Sequence, residues 1–112
     1  MWISHKDTFL ALCRDDLHPA MIGVRARRQR DILTLFPDAT VEHTPGNDYQ
    51  FRAFVPEQEA AAVLAREVLA IDYRRFKPEV RDRALHDSYM RCWSGMLGIQ
   101  EPGTGGIYNN GR

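Results

Sequence analysis

The chain has 112 residues, 44% of them hydrophobic, and 15 basic side chains balance 15 acidic ones for a formal charge of zero. That length supports an apolar core without disulfide staples, so one domain over residues 1–100 with a flexible tail over 101–112 is expected. The balance excludes both a strongly basic nucleic-acid binder and an acidic nucleic-acid mimic on total charge, and leaves only local charge arguments.

In chain order, Thr8 to Cys13 is dense in apolar residues, Arg14 to Pro19 supplies turn formers, and Ala20 to Ala26 resumes an apolar run. This reads as a first hairpin. Arg28 to Phe36 places Ile32, Leu35 and Phe36 at helical spacing before Pro37 ends the run. Ala39 to Thr44, the turn cluster Thr44 to Asp48, and the alternating Tyr49, Phe51, Ala53 and Val55 read as a second hairpin. Pro56 suits a first helical turn, Glu57 and Glu59 favour its positive end, and Ala60, Val63, Leu64, Val68 and Ile71 form an apolar stripe. After the break at Asp72 to Lys77, a third helix is expected to restart at Pro78, with Glu79 at its positive end. Its buried face would carry Val80, Ala84, Leu85, Tyr89, Cys92, Trp93 and Met96.

The order ββαββα gives an α+β fold: a four-stranded antiparallel sheet with helices on one face, a permuted ferredoxin-like arrangement, plus a long C-terminal helix. The third helix is expected to cover the sheet or its edge, with Trp93 in the core. Cys13 and Cys92 share no ligand or redox spacing, so separate, buried thiols are expected. His5, Lys6 and Asp7 interrupt the start where a signal peptide needs an apolar stretch, and no run reaches membrane-spanning length. A cytoplasmic chain without membrane partners is expected.

The strings Trp2-Ile3-Ser4, Val24-Arg25-Ala26-Arg27 followed by Asp31-Ile32, Phe36-Pro37, Asp48-Tyr49, Ile71-Asp72-Tyr73 with Phe76-Lys77, and His86-Asp87 together resemble a family of small uncharacterised bacterial and phage proteins. The resemblance covers the chain except its tail. It implies a cytoplasmic, mobile-element context and, by analogy with other small phage proteins, an inhibitor of a host defence complex of the anti-CRISPR type.

Two groups could bind a partner. Arg25, Arg27, Arg28 and Arg30 lie where a strand hands over to a helix start, a place suited to phosphate or carboxylate; the competing reading is a solvated surface paired with Asp31 and other acids. Because glutamate is favoured at a helix start, reversing Arg27 and Arg28 is expected to leave the fold intact. Tyr73, Arg74, Arg75, Phe76 and Lys77 interleave aromatic and basic residues, as single-stranded nucleic acid or an acidic protein groove could use; the competing reading pins the loop by its two rings.

Other chemistry-bearing letters are weaker. His86, Asp87 and Ser88 are consecutive on a helix and point apart, and Asp82 with His86 makes only two ligands of a metal site. Cys92 has no activating partner in its pattern, and Gly103-Thr104-Gly105-Gly106 lacks the lysine of a phosphate loop. No catalytic residue, metal or cofactor is therefore assigned. The function expected is a non-enzymatic interaction protein that docks on a macromolecular protein complex, with nucleic-acid binding through the same arginines as the competing class, and a small-molecule enzyme third because it needs a deep pocket.

Overall fold

The structure is a computed structural model that describes residues 1–103. The tail expected over 101–112, with most of its glycine run, falls largely outside the described residues. Contacts group the chain into two compact units, Met1–Ile71 and Asp72 onward.

The first unit holds a five-stranded antiparallel sheet with strands β1 (Trp2–Ser4), β2 (Phe9–Cys13), β3 (Met21–Ala26), β4 (Glu42–His43) and β5 (Phe51–Pro56), in the order β1-β2-β3-β5-β4. The four expected strands are all present. The count of four is corrected by β1, which pairs Trp2, Ile3 and Ser4 with Ala11, Leu10 and Phe9. It is three residues long and adjoins His5, Lys6 and Asp7, too short for an alternation to register. Its pairing extends through Met1, whose carbonyl accepts the Leu12 N–H and whose amino group donates to the Leu12 carbonyl, each at 2.8 Å.

Alternation sets the two sheet faces. Leu10 and Leu12 of β2, Val24 and Ala26 of β3, and Ala53 and Val55 of β5 point to one side. There they meet Ile32, Leu35 and Phe36 of helix α1 (Gln29–Leu35 and its C-cap) and Ala60 and Val63 of helix α2 (Glu57–Leu69). Helices on one face are thus confirmed for this unit. The opposite face carries Phe9, Ala11, Cys13, Gly23, Arg25, Arg52 and Phe54. Ala11 and Gly23 are buried and the others half-buried.

Local chemistry sets the boundaries. Arg28 remains extended as the N-cap of α1, and Phe36 leaves helical geometry because the following Pro37 disfavours it. Pro45 and Gly46 form the corner of the β4–β5 hairpin, where Gly46 has φ of 90° and Asn47 donates to the Thr44 carbonyl; any other residue type would be strained at that φ. Pro56 ends β5 and sits at the N-cap of α2 rather than in its first turn, so strand passes into helix at Glu57 without a loop. The stripe expected on α2 holds for Ala60, Val63 and Leu64, but Val68 is turned toward the side of the helix away from the core and Ile71 lies beyond its end at Leu69, so both are exposed.

In the second unit, Pro78 lies in a single 3-10 turn, Lys77–Glu79, and helix α3 runs over Arg83–Met96. The expected start at Pro78 is corrected by Asp82: its carboxylate accepts the Leu85 N–H at 3.2 Å and caps the helix, while Val80 is extended. Of the expected buried face, Val80 and Leu85 are buried and Tyr89 and Trp93 half-buried, whereas Ala84, Cys92 and Met96 are exposed. No helix of the described residues is long and apolar enough to cross a membrane.

Candidate basic interaction surfaces

The first arginine group does not act as one surface. Arg25 projects from the second sheet face, half-buried, in register with Arg52. Arg27 reaches the β4–β5 hairpin: its guanidinium donates to the Asp48 carbonyl at 3.2 Å, lies 3.6 Å from the Asp48 carboxylate and sits 4.8 Å from the centre of the Tyr49 ring. Arg28 folds over the start of α1 to its own Asp31, with Nε to Oδ1 at 3.1 Å and a second nitrogen at 2.9 Å. Arg30 is exposed on the first turn.

Asp31 explains this arrangement. Its side chain is only 4% exposed, and its second oxygen accepts the Phe9 N–H at 3.3 Å, which ties α1 to β2. A carboxylate at the third helical position also meets the positive end of the helix. The helix start therefore already holds an anion from its own chain, and α1 has only seven residues. Sequence reading took Asp31 for a surface counter-ion; its place one turn from Arg28 on the edge of an apolar stripe was the available signal.

The second group behaves differently. Tyr73 and Phe76 are half-buried, with ring centres 6.3 Å apart, and Phe76 lies 5.6 Å from Tyr89 of α3. Lys77 places its ammonium 3.8 Å from the centre of the Trp93 ring. Phe76 pins the segment to α3, and Tyr73 packs on Phe76. Arg74 and Arg75 are exposed and make no ion pair among the described residues, and the same holds for Arg81 and Arg83 further on. Arg81, between the 3-10 turn and α3, and Arg83, the first residue of α3, extend the same basic segment.

Other chemistry-bearing side chains have partners within the chain. His5 Nδ1 accepts the Asp7 N–H at 3.1 Å, which leaves its Nε2–H to donate to Glu67 at 2.8 Å. Asp82 caps α3, and His86 lies 3.5 Å from the neighbouring Asp87. No group of three metal-ligating side chains occurs among the described residues. An open cleft of about 470 Å³ lies between the first turns of α2 and the ends of β2 and β3, with Leu12, Ile22, Ala60 and Leu64 inside and the Arg14–Glu57 ion pair at its rim.

Both thiols are free; Cys13 is half-buried and Cys92 exposed, which corrects the expectation of two buried thiols. Brief treatment of the native chain with a thiol reagent should therefore add one label, at Cys92, and unfolding should expose the second. Two labels at equal rates would show that Cys13 is not shielded by β3.

The chain matches no protein-family model, no curated protein and no solved structure, so its surfaces must be interpreted from their own geometry.

Proposed function

We propose that the chain is a non-enzymatic interaction protein whose basic segment, Arg74, Arg75, Arg81 and Arg83, docks on an acidic surface of a larger protein complex. The observation that carries this reading is the exposure of four arginines without ion pairs among the described residues, on a segment anchored by the Phe76–Tyr89 ring contact and the Lys77–Trp93 contact. An anchored segment loses little further backbone freedom on binding, and guanidinium forks suit carboxylate partners. The internal engagement of Asp31, His5 and Asp82 supports a non-enzymatic role.

Nucleic acid is the less favoured partner. Stacking requires free aromatic faces, and Tyr73 and Phe76 use theirs on each other and on Tyr89. The resemblance to small bacterial and phage proteins extends the reading to a cytoplasmic inhibitor of a host complex, of the anti-CRISPR type. For the fold, the inner strand order β2-β3-β5-β4 is the order that circular permutation of a ferredoxin-like sheet would give, which supports that assignment.

The test is capture from native host cells with the parent chain and with a variant carrying Arg74→Glu, Arg75→Glu, Arg81→Glu and Arg83→Glu. All four positions are exposed, and Arg83 opens α3, where glutamate is favoured, so the variant should fold. It should lose the protein partner that the parent retains, because reversal turns attraction into repulsion. Equal capture by both chains would overturn the assignment. Co-captured nucleic acid whose binding falls log-linearly with salt would support the other class.

A further inference from the structure

The first unit leaves one helix face uncovered. On α2, Ala61, Ala62, Ala65, Val68 and Leu69 are all exposed, Val68 at 65% and Leu69 at 86%. At about 100° per residue they fall within about 60° of Ala65. Val63 and Ala60 face the core on the opposite side. One edge of the uncovered face adjoins the cleft, which Gln58, Ala61 and Leu64 line from α2. The other edge carries two exposed charges of opposite sign, Glu59 and Arg66, two helical turns apart and with no ion pair among the described residues.

We propose that this face binds a second copy of the chain, with α2 packed antiparallel on the partner's α2 about a two-fold axis level with Ala62 and Val63. The charge pattern selects this occupant. In an antiparallel pair related by a two-fold axis, each edge of a helix faces the same edge of its mate. With that axis, Glu59 faces the partner's Arg66 and Arg66 faces the partner's Glu59, so the pair forms twice by symmetry and every charge gains one partner. The same operation carries Val68 to the level of the partner's Glu57, over the cleft. Ala61 and Ala62 at the centre allow the helix backbones to approach closely. An apolar protrusion and an apolar recess on one edge, with complementary charges on the other, form a self-complementary surface.

The inference is independent of the basic segment and is tested on the full chain by sedimentation equilibrium at low salt with reducing agent, which removes covalent pairing through Cys92. The parent should dimerise, and Ala65→Glu, which places a charge at the centre of the face, should remain monomeric with an unchanged far-ultraviolet spectrum. Glu59→Arg and Arg66→Glu should each weaken dimerisation by about tenfold, since each brings like charges together at two symmetric sites. Mixing these two variants in equal amounts should restore the parent affinity, because every facing pair is again opposite in sign. A parent that is monomeric up to millimolar concentration, a dimer indifferent to Ala65→Glu, or a mixture no tighter than its components would each overturn the proposal.

Discussion

Replacing Phe36 with alanine should destabilise the chain by about 3–5 kcal/mol, because the ring is 1% exposed and its removal leaves a cavity that its surroundings fill only in part. Phe36 is the C-cap of α1 and packs with Ile32 and Leu35 against the strand residues Leu10, Val24 and Ala53. Its N–H also donates to the Ile32 carbonyl at 2.8 Å, so the last helical turn and the core share this residue. The midpoint of urea unfolding should fall with an unchanged slope. Trp93→Ala, by contrast, should cost only about 1–2 kcal/mol: the ring is half-buried, and part of what it loses is the Lys77 contact on an accessible face. Equal losses for the two variants would show that Trp93 lies in a core after all.

The inner strands and all three helices were legible from local pattern. Thr8 to Cys13 and Ala20 to Ala26 are apolar runs split by turn formers, Phe51, Ala53 and Val55 alternate, and Ala60, Val63 and Leu64 recur at helical spacing. Strand β1 was not legible, since three residues at a sheet edge take their geometry from backbone pairing with β2. The start of α3 was misplaced because proline is a start signal, yet a capping aspartate four residues later satisfies the free N–H groups, and Pro78 closes only a 3-10 turn. The candidate sites were half legible. Composition found both arginine groups, but whether a guanidinium faces solvent or its own chain depends on contacts that cross the sequence, such as Arg27 to Asp48 and Asp31 to Phe9. The uncovered face of α2 was hidden for a related reason: Val68 follows Leu64 at helical spacing and so reads as core, yet by angle it lies nearer the exposed Ala65 than the buried Val63.

Reversing Arg28 alone to glutamate should cost about 3–5 kcal/mol, although the sequence suggested that the fold would tolerate it. Dipole arguments favour a negative charge at a helix start by a few tenths of a kcal/mol at an exposed site. Here the position is the N-cap, and the neighbour is the carboxylate of Asp31, almost fully buried and held by Arg28 at 2.9 Å. Glutamate would remove the counter-charge and add a like charge at the same place, and leaving a buried charge unpaired outweighs the dipole several-fold. Arg27→Glu is the matched control: its contacts with Asp48 and Tyr49 lie on the surface, so it should cost less than about 1 kcal/mol. Asp31→Asn separates the two roles of the carboxylate, since the amide oxygen can still accept the Phe9 N–H while the charge is gone, and a loss of about 1–3 kcal/mol is expected. Chemical unfolding of the three variants should rank them Arg28→Glu, Asp31→Asn, Arg27→Glu from most to least destabilised. If Arg28→Glu stood level with Arg27→Glu, the Arg28–Asp31 pair would be an ordinary surface contact, and the helix start would again be open to an external anion.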